Sequence, residues 1–123
     1  MKALIFNKIG EPKDVLELKE ISKPIPGPNE VLIKVLGSPI HPADYMFIKG
    51  KYRYKPEFPQ TAGLEGAGII EAIGENVKLK TRLLAAFTSR KSWAEYIVVP
   101  EEDVFVLPKN FPISFFRCGL HNE

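Results

Sequence analysis

The sequence predicts a mainly β domain, folded as a partly open barrel with one short helix. Three observations lead there. Apolar runs are short and strand-sized, and each is bounded by Gly, Pro, Asn or charge. The runs recur at regular spacing with little helical periodicity between them. The 11 prolines and nine glycines are spread along the chain, which supplies many turns and rules out a collagenous or disordered polymer.

Lys2–Phe6 and Val15–Leu18 are the first candidate strands, joined by a turn around Gly10-Glu11-Pro12. Lys23–Asn29 carries three prolines and a glycine, so it is irregular: each Pro lacks a donor and restricts its predecessor. Val31–Leu36 is a nearly continuous apolar strand. The helical exception is His41–Gly50. Pro42 suits the first helical position, Asp44 the positive end, Lys49 the negative end and Gly50 the left-handed cap. On its own this helix reads as a plug for one end of the barrel, opening into the loop Lys51–Gln60. Ala62–Gly74 combines Gly63, Gly66 and Gly68 with Ile69, Ile70 and Ile73, an apolar strand pinched by glycines where backbones approach closely. Leu83–Phe87, Ala94–Val99 and Val104–Leu107 complete the set.

With 123 residues, 45% of them hydrophobic, the chain is long enough for one domain with a core. Seventeen Lys and Arg against 15 Asp and Glu leave +2, too little for a dedicated nucleic-acid or membrane binder. No apolar run approaches the roughly 20 residues needed to span a bilayer. The single cysteine, Cys118, removes an intrachain disulfide and a cysteine metal cage. The apolar start, Met1–Phe6, is too short for a signal peptide, and the expected location is cytoplasmic.

Gly63-Leu-Glu-Gly-Ala-Gly68 invites comparison with a dinucleotide fingerprint, but a β-like run follows it where the fingerprint needs a helix. The histidines, His41 and His121, form no triad by spacing. Lys49, Lys51, Arg53 and Lys55 interleave with Tyr52 and Tyr54. This stretch reads as a solvated loop, or as one that meets a phosphate-bearing ligand or an acidic partner.

Four segments in order carry a resemblance: Val31–Asp44, Lys49–Tyr52, Gly63–Gly74 and Ser92–Pro100. Together they resemble the medium-chain dehydrogenase/reductase superfamily, above all its zinc-independent quinone oxidoreductases and trans-2-enoyl reductases. The resemblance implies that residues 1–113 form a GroES-like catalytic domain. It implies that the NADPH-binding Rossmann domain which would follow is absent, with 114–123 a truncated or divergent tail. The expected activity is NADPH-dependent reduction of a small-molecule quinone or an α,β-unsaturated carbonyl such as an enoyl thioester. The alternative is a non-enzymatic GroES-like module that acts through protein contacts. A barrel cut from its partner domain is also expected to self-associate through the exposed interdomain face.

The same resemblance implies site residues. Tyr52 matches a catalytic tyrosine after the helix. His41 stands where zinc-free relatives usually carry Asn, so a catalytic or cofactor-holding hydrogen bond falls to its imidazole. Tyr45, with Asp44 on the same helix, is expected to border the cofactor cleft. Glu65 and Trp93 match family motifs and read as structural. Zinc is not expected, because the two ligand positions hold His41 and Leu64, and leucine cannot ligate.

Overall fold

The computed structural model describes residues 1–112; Ile113 and the tail 114–123 lie outside the described residues. Eight strands, two short helices and one 3-10 turn follow each other in the order β1 (Lys2–Phe6), α1 (Pro12–Val15), β2 (Glu17–Glu20), β3 (Glu30–Gly37), α2 (Pro42–Ile48), β4 (Gln60–Thr61), β5 (Glu65–Ile73), β6 (Leu84–Thr88), β7 (Tyr96–Pro100), the 3-10 turn Glu101–Asp103 and β8 (Val104–Val106). No helix among them is long and apolar enough to cross a membrane.

The strands form two antiparallel sheets, β2-β1-β4 and β7-β3-β5-β6-β8. An Ala3–Ala94 bridge, with Leu4 N–H donating to the Trp93 carbonyl at 3.0 Å, ties the small sheet to the large one. Two register shifts between β3 and β5, at Leu32/Ile33 and Val35/Gly37, bend the large sheet. The result is mainly β and partly open, the class expected from the sequence.

Each sheet has its own core. Val31, Ile33, Ile70, Ala85, Phe87, Ile97 and Val99 pack within the curve of the large sheet. Phe6, Val15, Phe47, Ile48, Ala62 and Trp93 form the second cluster, where α2 docks on the small sheet. Phe6 meets Phe47 edge to face, with centroids 5.9 Å apart, a geometry worth about 0.5–1.5 kcal/mol beyond area burial.

Two strand assignments need correction. Val15 does not open a strand; it ends the α1 turn, and the strand begins at Glu17. Pro12 pre-sets the first turn, and Val15 is buried in the second core, so burial outweighs its β preference. Ala62–Gly74 is shortened as well: its strand begins only at Glu65, and a separate short strand, Gln60–Thr61, precedes it and takes Gln60 from the expected loop. Gln60–Thr61 pairs with β1, while Glu65–Ile73 pairs with β3 and β6. The break is at Gly63, whose φ of +97° is left-handed, and a Cβ there would strike Ser92 and Trp93. Gly68 serves a different need, because a Cβ at that position would overlap the Lys34 carbonyl of β3.

Helix α2 forms as expected, with Pro42 at its start and Gly50 left-handed at φ +75° just past its end. The Asp44 carboxylate does more than complement the helix dipole. It accepts the His41 N–H at 2.9 Å through Oδ2 and the Leu64 N–H at 3.1 Å through Oδ1, and its residue is 1% exposed. One buried side chain therefore fastens the start of α2 to the approach of β5. Burial raises the Asp44 carboxyl above the ordinary aspartate range, against the opposing pull of the two N–H bonds and of His41.

Two predictions follow from this packing. Gly68→Ala should destabilise by about 1–3 kcal/mol, since backbone rather than a flexible side chain blocks the new methyl; an unchanged urea midpoint would show that β3 and β5 can separate there. Asp44→Asn leaves one acceptor oxygen for two N–H groups, which should cost about 1–3 kcal/mol in acid. Folded Asp44 holds its proton more tightly than unfolded Asp44. The parent therefore loses stability as pH rises through the raised folded value, while the Asn variant does not. The gap between their midpoints should narrow with rising pH, and a constant or widening gap would refute this assignment.

Candidate active site

A cleft of about 420 Å³ lies between the chain leaving α2 and the end of β6. One side carries His41, Tyr52, Arg53 and Tyr54, and the floor carries Leu64 and Glu65. Thr88, Ser89, Arg90 and Asp103 close the far side.

His41 is half-buried at the α2 N-cap. Its Nε2 lies 2.9 Å from Glu65 Oε2, and its Nδ1 lies 3.8 Å from Asp44 Oδ2. An ionised carboxylate only accepts, so Nε2 carries a hydrogen and donates it to Glu65. The Nδ1 separation exceeds hydrogen-bond range. Glu65 is in turn held at its backbone. The Ser38 hydroxyl donates to the Glu65 carbonyl at 2.5 Å, and Ser92 Oγ, 2.9 Å from Ser38 Oγ, donates to Ser38. Both serines are buried, so this support is dry.

Tyr52 follows the Gly50 cap, and its half-buried ring packs against the second core. Its hydroxyl makes no hydrogen bond to another described residue. The Tyr54 ring meets it edge-on at 5.7 Å. Two guanidiniums lie against Tyr54, Arg90 at 4.5 Å and Arg53 at 5.1 Å from the ring centroid. The cleft is thus cationic near Tyr54 and acidic at Glu65 and Asp103.

The structure brings His41, Tyr52 and Glu65 into one cleft. Tyr45 is not among the cleft-lining residues; it is exposed on α2. Asp44 lies beneath the surface as the anchor already described. Trp93 is a core residue whose Nε1 finds no partner among the described residues. Gly66 and Gly68 sit inside β5, Gly68 paired with both β3 and β6 and Gly66 with β6, so no helix N-terminus presents them to a phosphate. Among the described residues, no group of three or more His, Cys, Asp and Glu could hold a metal ion.

Sequence reasoning missed Thr88, Ser89, Arg90 and Asp103. They reach the cleft only because β5 pairs with β6 and β6 with β8. The local sequence around Arg90, Thr-Ser-Arg-Lys-Ser, is an ordinary polar turn and carries no signal of this.

Comparison with known proteins agrees with this architecture. The alcohol dehydrogenase GroES-like domain family matches residues 27–109. A mitochondrial enoyl-acyl-carrier-protein reductase of Xenopus tropicalis is 30% identical over 116 residues, 92% of this chain and 33% of its own length. A quinone oxidoreductase of Sus scrofa is 36% identical over 112 residues, 89% of this chain and 34% of its own. Among solved structures, a quinone oxidoreductase of Pseudomonas syringae superposes with a TM-score of 0.85 at 27% identity, covering 94% of this chain and 36% of that one. The human synaptic vesicle membrane protein VAT-1 homolog-like protein superposes with a TM-score of 0.87 at 27% identity, covering 94% and 38%. The chain thus spans about a third of the length of the curated relatives it matches. From residue 27 to residue 109, and in the two sheets that those residues build, this chain belongs to the alcohol dehydrogenase GroES-like domain family of the medium-chain dehydrogenase/reductase superfamily.

Proposed function

We propose that this chain is the substrate-side domain of a zinc-free, NADPH-dependent reductase acting on quinones or α,β-unsaturated carbonyls, enoyl thioesters included. The observation that carries this reading is the Tyr52 hydroxyl, which has no hydrogen-bond partner among the described residues and stands on a cleft beside His41 and Glu65. The relatives named quinone oxidoreductase and enoyl reductase support it.

The described residues do not themselves form a dinucleotide site, since the glycine-rich segment is a paired strand. A nicotinamide cofactor would supply hydride from a surface beyond them. The task of this chain is to hold the acceptor. When hydride reaches the β-carbon of a conjugated carbonyl, negative charge grows on the carbonyl oxygen. A hydroxyl donor fixed near that oxygen stabilises the transition state more than the ground state. Tyr52 is such a donor, oriented by its packing on the core. His41 is the second polar wall residue; its Nε2–H is directed to Glu65, and it serves substrate or cofactor through that pair. The exposed Tyr45 ring offers the cofactor side a stacking surface. The donor set at the two positions that hold zinc ligands in other relatives is an imidazole already bonded to Glu65 and an aliphatic leucine, which is why we assign no zinc. With one cysteine in the sequence, the domain has no use for an oxidising compartment, and we assign it a cytoplasmic one.

The alternative, a GroES-like module working through protein contacts or self-association, draws on the exposed Phe105 and Val106 of the edge strand β8. Turnover separates the two readings. With this chain joined to a relative's NADPH-binding domain, Tyr52→Phe should lower turnover by about 10²–10³-fold and leave the melting temperature unchanged. Turnover within about twofold of the parent would assign Tyr52 to packing. Metal analysis of the purified chain should find no stoichiometric zinc; about one tightly bound zinc per chain would overturn the zinc-free assignment.

A further inference from the structure

Gln60 joins two basic loops beside the cleft. Its side chain is buried, at 6% exposure for the residue. Oε1 accepts the Glu57 N–H at 2.9 Å, while Nε2 donates to the Thr61 carbonyl at 2.9 Å and to the Arg90 carbonyl at 2.7 Å. One amide thus fixes the loop after α2 to the turn after β6. Between them lies a pocket of about 240 Å³, lined by Lys55, Glu57, Pro59, Gln60, Arg90 and Lys91. It shares Arg90 with the cleft.

The chemistry of this pocket is cationic. Lys55, Arg90 and Lys91 face one carboxylate, Glu57, and Arg53 stands across Tyr54. None of the four cations is ion-paired with a described residue, in contrast to Lys23 with Glu71 and Lys49 with Glu11. The turn adds neutral donors. Ser89, which lines the adjoining cleft, accepts the Lys91 N–H at 3.1 Å through Oγ, so its own hydrogen is left to donate there, and the Arg90 N–H has no partner among the described residues. Of the acids on the neighbouring cleft, Glu65 is engaged by His41, and Asp103 lines that cleft but not this pocket. Guanidinium, ammonium, hydroxyl and amide donors held on a fixed frame suit a tetrahedral oxyanion.

We propose that this pocket binds the phosphate group of an elongated substrate whose reactive carbonyl lies in the adjoining cleft. The preferred substrate is then a phosphate-bearing unsaturated carbonyl compound rather than a neutral quinone. This rests on the reading of the cleft as the reduction site. Arg90 lines both spaces, so the phosphate and the carbonyl of such a ligand would lie on either side of this one residue.

The test is a titration of the isotope-labelled full chain with inorganic pyrophosphate at fixed ionic strength, followed through backbone amide signals. Saturable shifts should be confined to residues 53–57 and 88–92. Arg90→Gln and Lys91→Gln should each weaken binding about tenfold, while Lys23→Gln leaves it unchanged. These side chains are exposed, so variants whose melting temperatures match the parent isolate binding from folding. Shifts that fail to saturate, that equal those from sodium chloride, or that persist with unchanged affinity in both variants would overturn the proposal. Saturation by polyglutamate but not by pyrophosphate would overturn it too, in favour of an acidic protein partner. The result stands apart from the reductase reading. Absent pyrophosphate binding with intact Tyr52-dependent turnover removes the phosphate pocket alone; pyrophosphate binding with Tyr52-independent turnover removes the reductase assignment instead.

Discussion

The buried carboxylate of Asp44 is the constraint on which the cleft depends. Helix α2 has seven residues, too few to be stable in isolation. It is held at one end by Phe47 and Ile48 in the second core, and at the other by two hydrogen bonds from Asp44. Those bonds reach His41, the residue before the helix, and Leu64, the residue before β5. His41 is therefore brought beside Glu65 as a consequence of helix capping, and no separate device is needed to aim it. Burying a carboxylate costs free energy, which the raised proton affinity of Asp44 records. The return is a fixed junction between the helix start that carries His41 and the strand that gives the cleft its floor.

The rest of the site is built on the same economy. The buried serine pair holds Glu65 by its backbone, leaving its side chain to meet His41. Gln60 performs the matching role on the basic side, tying Arg90 to the loop that carries Tyr52 and Tyr54. In each case a buried, neutral hydrogen-bonding side chain positions an exposed functional one. Loops are ordinarily mobile, and struts of this kind are how a β domain carries a defined cleft on loops.

Much of this was legible in the sequence because the signals are local. Pro42, Asp44 and Gly50 mark α2 through the backbone requirements of helix ends, and the structure has all three in those roles. The glycines of β5 announced a close approach, and Gly68 against the Lys34 carbonyl is that approach. Val15 misled because a β-branched residue in an apolar run reads as strand, whereas its burial beside Phe6 and Ile48 decided its conformation. His41, Tyr52 and Glu65 stood in recognisable motifs. Arg90 and Asp103 did not, since only the long-range pairing of β5, β6 and β8 carries them to the cleft. The Gln60 strut was hidden for the same reason: its partner carbonyl belongs to a turn far along the chain.

Amide hydrogen exchange at His41 and Leu64 tests the anchoring role of Asp44 most directly. If the carboxylate fastens α2 to β5, both amides should exchange with the slow core, alongside Ile33 and Ile70, through global unfolding. Exchange at the rate of the exposed Lys51–Lys55 loop would show that the junction opens locally, and would contradict the account of how this cleft is held.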